Sequence, residues 1–387
     1  MTEFISKRIA GFQQSEIRNM TRECERVGGI NLGQGLGDLP APASVQEGAI
    51  AAIRDNRSKY ALPEGIIELR QAIATKLRRD NGIEADPQTE IIVTNGTTGA
   101  FAASLQALLN PGDGILLFEP YYGYHLNTIL LSGNEPQFLG LALPAFSFTE
   151  ESLRARILPN TRAILVCTPS NPSGKVFSEE ELKIIAKVAV EHDLLVITDE
   201  IYEYITYDGR KHISPATVDG LRERTVSVMG FSKTFSITGW RVGYVLAPPA
   251  LSLAINLVND LLYVCAPTPL QYGAAKGLVE CGPEYFEELR AIYQHKRDII
   301  CDGLAQAGLN PLIPCGAYYV LAGIGHLGYP DAKAAALALL NQTGVAGIPG
   351  TAFFQGEAGH SLIRFCFAKD DESLATAAKR LQRFHPA

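Results

Sequence analysis

The sequence predicts an α/β fold: a large domain with a mostly parallel sheet covered by helices, plus a smaller α+β domain. Three observations predict it. Short apolar runs, mostly rich in Val and Ile, alternate with helical patterns through the middle of the chain. Runs of this kind fit strands buried on both faces, as in a parallel sheet. The chain is also 387 residues long, which at roughly 150 residues per domain is more than one simple core.

The elements justify themselves in chain order. Over 64–81, Ile66, Leu69, Ile73 and Leu77 recur at spacings of three and four, and Gly82 follows as a stop signal. Apolar runs at 90–94, 114–118, 162–167, 194–198, 225–229 and 241–246 read as strands, several of them ending in Gly, Pro or Asp. Between two of them, Ser178 with Glu181 three residues on forms a capping-box pattern, and Leu182, Ile185 and Val188 continue a helical stripe. Beyond residue 284 the rhythm changes. Helical stretches at 285–307 and 332–342 alternate with short apolar runs. The expected division is a large domain over 46–284 and a small domain from 1–45 and 285–387. No low-complexity linker separates them, so they should abut and leave a cleft suited to a ligand.

Composition narrows the function. With 47% hydrophobic and 19% charged residues, the chain is neither disordered nor collagen-like. A net charge of −7 without a basic block argues against a nucleic-acid partner. Seven scattered cysteines with no C-x-x-C pair argue against a disulfide framework or a structural zinc, and no histidine spacing suggests a metal. The N-terminus has no apolar signal region, and no run reaches the ~18 apolar residues of a membrane span. The expectation is a cytoplasmic protein without membrane or metal.

Four clusters carry chemistry, and each follows an expected strand. Thr94 to Ala100 leads into a helix beginning near Thr98, where backbone amides and the hydroxyls of Thr97 and Thr98 suit an anion. Thr168 to Gly174 holds two prolines and a glycine that fix a turn and project Asn171. Asp199 ends a strand where open α/β sheets bind ligands. Ser232-Lys233 precedes Arg241 by eight residues among glycines. A lysine in a dry pocket or beside other cations becomes a nucleophile, and Ser with Arg suits a phosphate. Each alone has a structural explanation: an N-cap, a turn, a helix-capping Asp, a solvated lysine. Together they converge on one sheet edge.

In that combination the chain resembles the class I/II pyridoxal-phosphate-dependent aminotransferases of the aspartate-aminotransferase fold type. Residues 230–243 match the family's lysine signature, Asn171-Pro-Ser-Gly174 its N-P-x-G motif, and Asp199-Glu-Ile-Tyr202 its D-E-x-Y motif. The resemblance runs from about Asn31 to Phe367. It implies pyridoxal 5'-phosphate, held by Lys233 as an internal aldimine, with Lys233 afterwards moving the substrate proton. Asp199 would pair with the pyridine nitrogen, and Asn171 and Tyr202 with the ring phenolate oxygen. Ser232, Arg241 and the Gly96, Thr97, Thr98 loop would hold the phosphate, and Tyr122 would stack on the ring. Tyr60 would reach the phosphate of the neighbouring subunit, which implies a homodimer with shared active sites. Arg364 would bind the substrate α-carboxylate, with the Gly35 backbone close by.

Departures from the family pattern bear on the substrate. After Gly35 the usual proline and aromatic are replaced in Gly35-Leu-Gly-Asp-Leu39, which predicts a more mobile strand or a wider pocket. Thr98 stands where some bacterial relatives place a lysine that reads a second carboxylate, and no substitute cation is evident. A second carboxylate would be under-paired, which favours neutral or aromatic amino donors. His125, beside the aromatic loop, is a weaker candidate for touching substrate. The leading reading is amino transfer from an L-amino acid to a 2-oxo acid. A β-eliminating or cyclising lyase acting on a sulfur amino acid uses the same residues. An idle cofactor-binding sensor would need a DNA-binding module, for which the thirty or so residues before the family region are too few.

Overall fold

A computed structural model describes residues 6–9, 12 and 16–385. Its thirteen strands are β1 (Ile30–Asn31), β2 (Ile91–Thr94), β3 (Gly114–Glu119), β4 (Glu135–Gly140), β5 (Thr161–Cys167), β6 (Leu195–Asp199), β7 (Thr225–Gly230), β8 (Gly243–Leu246), β9 (Asn310–Leu312), β10 (Tyr319–Gly323), β11 (Val345–Ala346), β12 (Ile348–Pro349) and β13 (Leu362–Cys366). Seven form one sheet in the order β2-β8-β7-β6-β5-β3-β4. From β7 to β4 every pairing is parallel, while β8 runs antiparallel to both neighbours.

The apolar runs become strands because alternate residues feed two cores. Ile115 and Leu117 of β3 join one hydrophobic cluster, and Leu116 and Phe118 join the other. Helices Gly96–Leu108 and Pro249–Tyr263 pack against one another. The capping box forms as expected: Ser178 Oγ accepts from the Glu181 amide at 3.2 Å, and the Ser178 amide donates to Glu181 Oε2 at 2.9 Å. The 64–81 pattern splits into a helix, Ile67–Lys76, and a π turn, Leu77–Asn81, and Gly82 ends it in the left-handed region at φ 68°.

A second, antiparallel sheet has the order β12-β13-β10-β9, and β1 pairs in parallel with β11. The Ile30–Asn31 strand is thereby tied to the C-terminal part of the chain. The long helix Pro283–Gln306 leads from the last part of the larger sheet's helical cover into the smaller sheet. Among the described residues no helix is long and apolar enough to cross a membrane.

Sheet register positions the chemistry. Cys167 of β5 pairs with Asp199 of β6, and Asp199 pairs with Val228 of β7. The turn bearing Asn171, the Asp199 carboxylate and Ser232-Lys233 therefore leave the same edge. Because β8 is antiparallel, its first residue, Gly243, lies opposite both Thr94 and Gly230. Arg241 and the Gly96 turn arrive at that edge too.

Candidate active site

That edge and the smaller sheet enclose a cavity of about 320 Å³. Gly35, Thr97, Thr98, Tyr122, Asn171, Asp199, Tyr202, Ser232, Lys233, Arg241 and Arg364 line it. Gly96 sits directly behind Arg241. Tyr60 lies outside, 83% exposed.

Lys233 Nζ donates to the Gly35 carbonyl at 3.3 Å and lies between the rings of Tyr202 and Tyr318, 5.9 and 5.5 Å from their centroids. Loss of bulk water is the largest influence on this ammonium and brings its pKa down to about 8, against the opposing pull of Cys366 and Asp199. Asp199 is buried, with Oδ1 accepting from the Ile201 amide at 3.2 Å and Oδ2 bonded to His125 Nε2 at 2.9 Å. His125 does not line the cavity. It stands behind Asp199, with its ring 5.1 Å from Phe101 and edge-on to Tyr122. Its candidate role thus changes from touching substrate to positioning the carboxylate. Its place next to the aromatic loop was the only signal in the sequence.

Arg364 is 1% exposed. Its guanidinium is sandwiched between the rings of Tyr319 and Phe353, 4.4 and 4.5 Å from their centroids. Nη1 donates to Asn171 Oδ1 at 2.9 Å and Nη2 to the Gly33 carbonyl at 2.6 Å, while Nε is buried without a partner among the described residues. Asn171 accepts through its oxygen here, so its amide nitrogen keeps both hydrogens free for another group. Burial pushes the Tyr202 hydroxyl well above the usual tyrosine range, so it stays protonated; it donates to Tyr319 Oη at 3.2 Å.

At the other end the surroundings are donors. Gly96 opens the Gly96–Leu108 helix at φ 67°, two residues earlier than expected, and a Cβ there would lie 2.6 Å from Arg241 Nη2. Only glycine allows the arginine this close to the helix N-terminus. Arg241 itself is held in the left-handed region, φ 57°, and donates to the Thr238 carbonyl at 3.0 Å.

The Gly35 end adds two observations. Tyr318 Oη and Lys233 Nζ both donate to the Gly35 carbonyl, and a Cβ at Gly35 would lie 1.9 Å from Tyr319 Oη. And a cation is present where none was evident. Arg18, on the Glu16–Arg26 helix, lines the cavity beside Ile17 and Leu36. Its sequence neighbourhood offered no motif; only the placing of that helix over the cavity reveals it.

Residues 27–381 match the family described as aminotransferase class I and II. The chain is similar to the aromatic-amino-acid aminotransferase 2 of Thermococcus litoralis, 34% identical over 98% of this chain and 97% of that one. It is similar to the aspartate aminotransferase of Pyrococcus abyssi, 37% identical over 92% and 91%. The solved N-succinyldiaminopimelate aminotransferase of Mycobacterium tuberculosis superposes with a TM-score of 0.94 at 33% identity, over 98% of this chain and 99% of that one. All three transfer amino groups by name, and the lyase reading finds no support among them. Motif order, backbone and near full-length likeness agree, and this chain belongs to the class I and II aminotransferases.

Proposed function

We propose that this aminotransferase works with pyridoxal 5'-phosphate in the 320 Å³ cavity and moves an amino group from a neutral or aromatic L-amino acid to a 2-oxo acid. The observation that carries the proposal is that Lys233, Asp199 and Arg364 line one cavity.

The donor set fits the cofactor end to end. The Gly96–Thr98 turn, Ser232 and Arg241 suit its phosphate, with no carboxylate among them. Asp199, kept in place by His125 and the Ile201 amide, suits a protonated ring nitrogen. Tyr202 and the free amide hydrogens of Asn171 suit the phenolate oxygen. Tyr122 lines the cavity and suits stacking on the ring. When bound, the cofactor supplies an electron sink for the carbanion formed at the amino acid Cα.

The chain's own residues do the rest. Lys233, with its pKa near 8, holds the cofactor and takes and returns the proton at the substrate Cα. Arg364 binds the α-carboxylate: its unpaired Nε and remaining Nη hydrogens are matched donors, and the Tyr319–Phe353 sandwich orients the fork. The Gly35 backbone closes that side.

A homodimer with shared active sites belongs to the same proposal. Leu253, Leu257 and Leu261 form a stripe along the Pro249–Tyr263 helix, and Leu261 is 85% exposed. Asn259 donates to the Pro63 carbonyl and Thr268 to that of Lys59, so the Tyr60 loop is tied to the buried side of this helix and to the start of the Thr268–Glu280 helix. A second copy covering the stripe would bring Tyr60 to its neighbour's phosphate. We read the two domains as 46–284 and 1–45 with 285–387, which the β1–β11 pairing supports, and the location as cytoplasmic.

The test is a donor panel with 2-oxoglutarate and pyruvate as acceptors, ammonia being followed in parallel, on protein first checked for an imine band that borohydride bleaches. Yellow protein and amino transfer without ammonia are expected. Protein that stays colourless after cofactor is added, or that releases ammonia with the keto acid, overturns the proposal.

A further inference from the structure

We propose that a second cavity, of about 840 Å³, binds a small anion carrying two or more charges on phosphate groups. Its walls come from the Leu77–Asn81 turn, segment 203–212 and the N-terminal part of the Pro283–Gln306 helix. No residue lines both this cavity and the one that holds Lys233. The two meet across one segment: Asp199 and Tyr202 line the Lys233 cavity, and Glu203 and His212 line the second.

The charges left free in this second cavity are mostly positive. Asp80 is bonded to Arg79 Nε at 2.6 Å and accepts from the Tyr204 hydroxyl. Glu203 pairs with Lys76 and accepts from Asn81 Nδ2 at 3.0 Å. Asp298 pairs with Arg297 at 2.8 Å. Glu287 is the one lining acid without a partner among the described residues. Against it stand Arg210, Lys211 and Arg290, whose side chains have no hydrogen-bond or ion-pair partner among the described residues. Like charges gathered around one opening repel until an anion joins them. Guanidinium forks match phosphate oxygens in pairs, and a lysine adds a point charge.

A fixed turn presents these cations. Arg290, Gln294 and Arg297 recur at spacings of four and three, so they share one face of their helix. Two of them hold the turn opposite: Gln294 Oε1 accepts from the Asp208 amide at 3.0 Å, and Arg297 donates to both Asp208 oxygens at 2.6 and 2.9 Å. Asp208 and Gly209 take φ values of 57° and 71°, and Thr206 Oγ1 donates to the Arg210 carbonyl at 2.8 Å. The turn thus carries Arg210 and Lys211 to the helix face that bears Arg290. His212 adds an independent observation. It lines the cavity with its side chain 5% exposed; Nε2 bonds to Glu200 Oε2 at 2.7 Å, while Nδ1 is buried with no partner among the described residues. A buried polar atom of this kind calls for a partner. With Glu200 on one nitrogen, an anion is the group that the other, once protonated, would satisfy.

Calorimetry on protein saturated with pyridoxal 5'-phosphate tests the site at fixed low salt, with inorganic pyrophosphate, adenosine diphosphate and citrate as probes. Pyrophosphate should bind once per chain. Arg290→Gln and Lys211→Gln should each raise its Kd about tenfold, ~1.4 kcal/mol for a charge-assisted contact, and Arg290→Lys should recover part of the loss. Lys183→Gln, on the Glu179–Glu191 helix outside the cavity, should change nothing. Lys211 is exposed and without a partner among the described residues, so its variant reads the site even where Arg290→Gln is unstable. Tighter binding of adenosine diphosphate than of pyrophosphate assigns the site to a nucleotide, and equal or weaker binding assigns it to the free phosphates; both support it. No binding of pyrophosphate, or binding that both variants leave unchanged or that Lys183→Gln weakens as much, overturns the site. Citrate binding as tightly as pyrophosphate overturns the phosphate assignment.

Discussion

The wall of the cavity built from β5, β6 and β7 differs from the wall built by the Glu16–Arg26 helix and segment 34–36 in burial, bonding and origin. On the strand wall Asn171, Asp199 and Ser232 are buried, and Asn171 and Asp199 have assigned partners. On the other wall Leu36 is 49% exposed, and Arg18 is exposed with no partner among the described residues. The contrast teaches a division of labour. On the function proposed above, groups that act on every substrate would stand on sheet register, where a shift of one residue would disturb a whole strand. Groups that choose among substrates would stand on helix and loop surface, where side chains can move at low cost.

The largest expected effect breaks this division if it fails. Lys233→Ala should lower kcat by at least about 10³-fold, since it removes the only amine on the strand wall, and acid–base catalysis alone is worth 10²–10⁴. Steady-state transamination with saturating cofactor measures it. A variant that keeps a tenth of wild-type activity would place the proton-moving group elsewhere.

A smaller effect sharpens the comparison by probing behind the strand wall. His125→Phe keeps a ring against Phe101 and Tyr122 but removes the bond to Asp199. A hydrogen bond to a charged group is worth about 1.5–3 kcal/mol, so kcat should fall roughly tenfold or more while KM for the donor changes little. The visible band of the bound cofactor should also change its pH dependence, because Asp199 would hold the ring nitrogen less firmly. A loss confined to thermal stability, with kcat and spectrum intact, would make His125 a packing residue only.

The same division explains what could be read from the sequence. Buried strands announce themselves as apolar runs, so β2, β3, β5, β6, β7 and β8 fall within two or three residues of expectation. β4, with Glu135, Pro136 and Gln137, was not seen. It is an edge strand exposed on one side, and its composition reads as loop. The reversed direction of β8 is equally invisible, since an apolar run has no polarity. Within the site, motif residues at strand ends were legible because backbone geometry demands Gly, Pro or Asp nearby. His125 and Arg18 were not, since each depends on a tertiary approach, one from the helix after β3 and one from a helix near the N-terminus. Tyr318, which donates to the Gly35 carbonyl, and Tyr319, which crowds Gly35, likewise depend on a tertiary approach, from the start of β10.

The smallest effect tests how dry the strand wall is. An exposed lysine would stay charged to pH 10 or beyond. Lys233 has lost enough solvation to titrate near 8, and the shift is downward, so its neutral, nucleophilic form grows as pH rises through 8. Cofactor-free protein mixed with pyridoxal 5'-phosphate at a series of pH values should therefore form its imine band faster from pH 7 upward. The rate should gain roughly tenfold and level off above pH 9, as a single group of that pKa dictates. Arg18 is exposed and stands on the other wall, so Arg18→Gln should leave the profile where it is. If the rate keeps climbing to pH 10, Lys233 is as wet as the rim, and the contrast between the two walls reduces to one of shape.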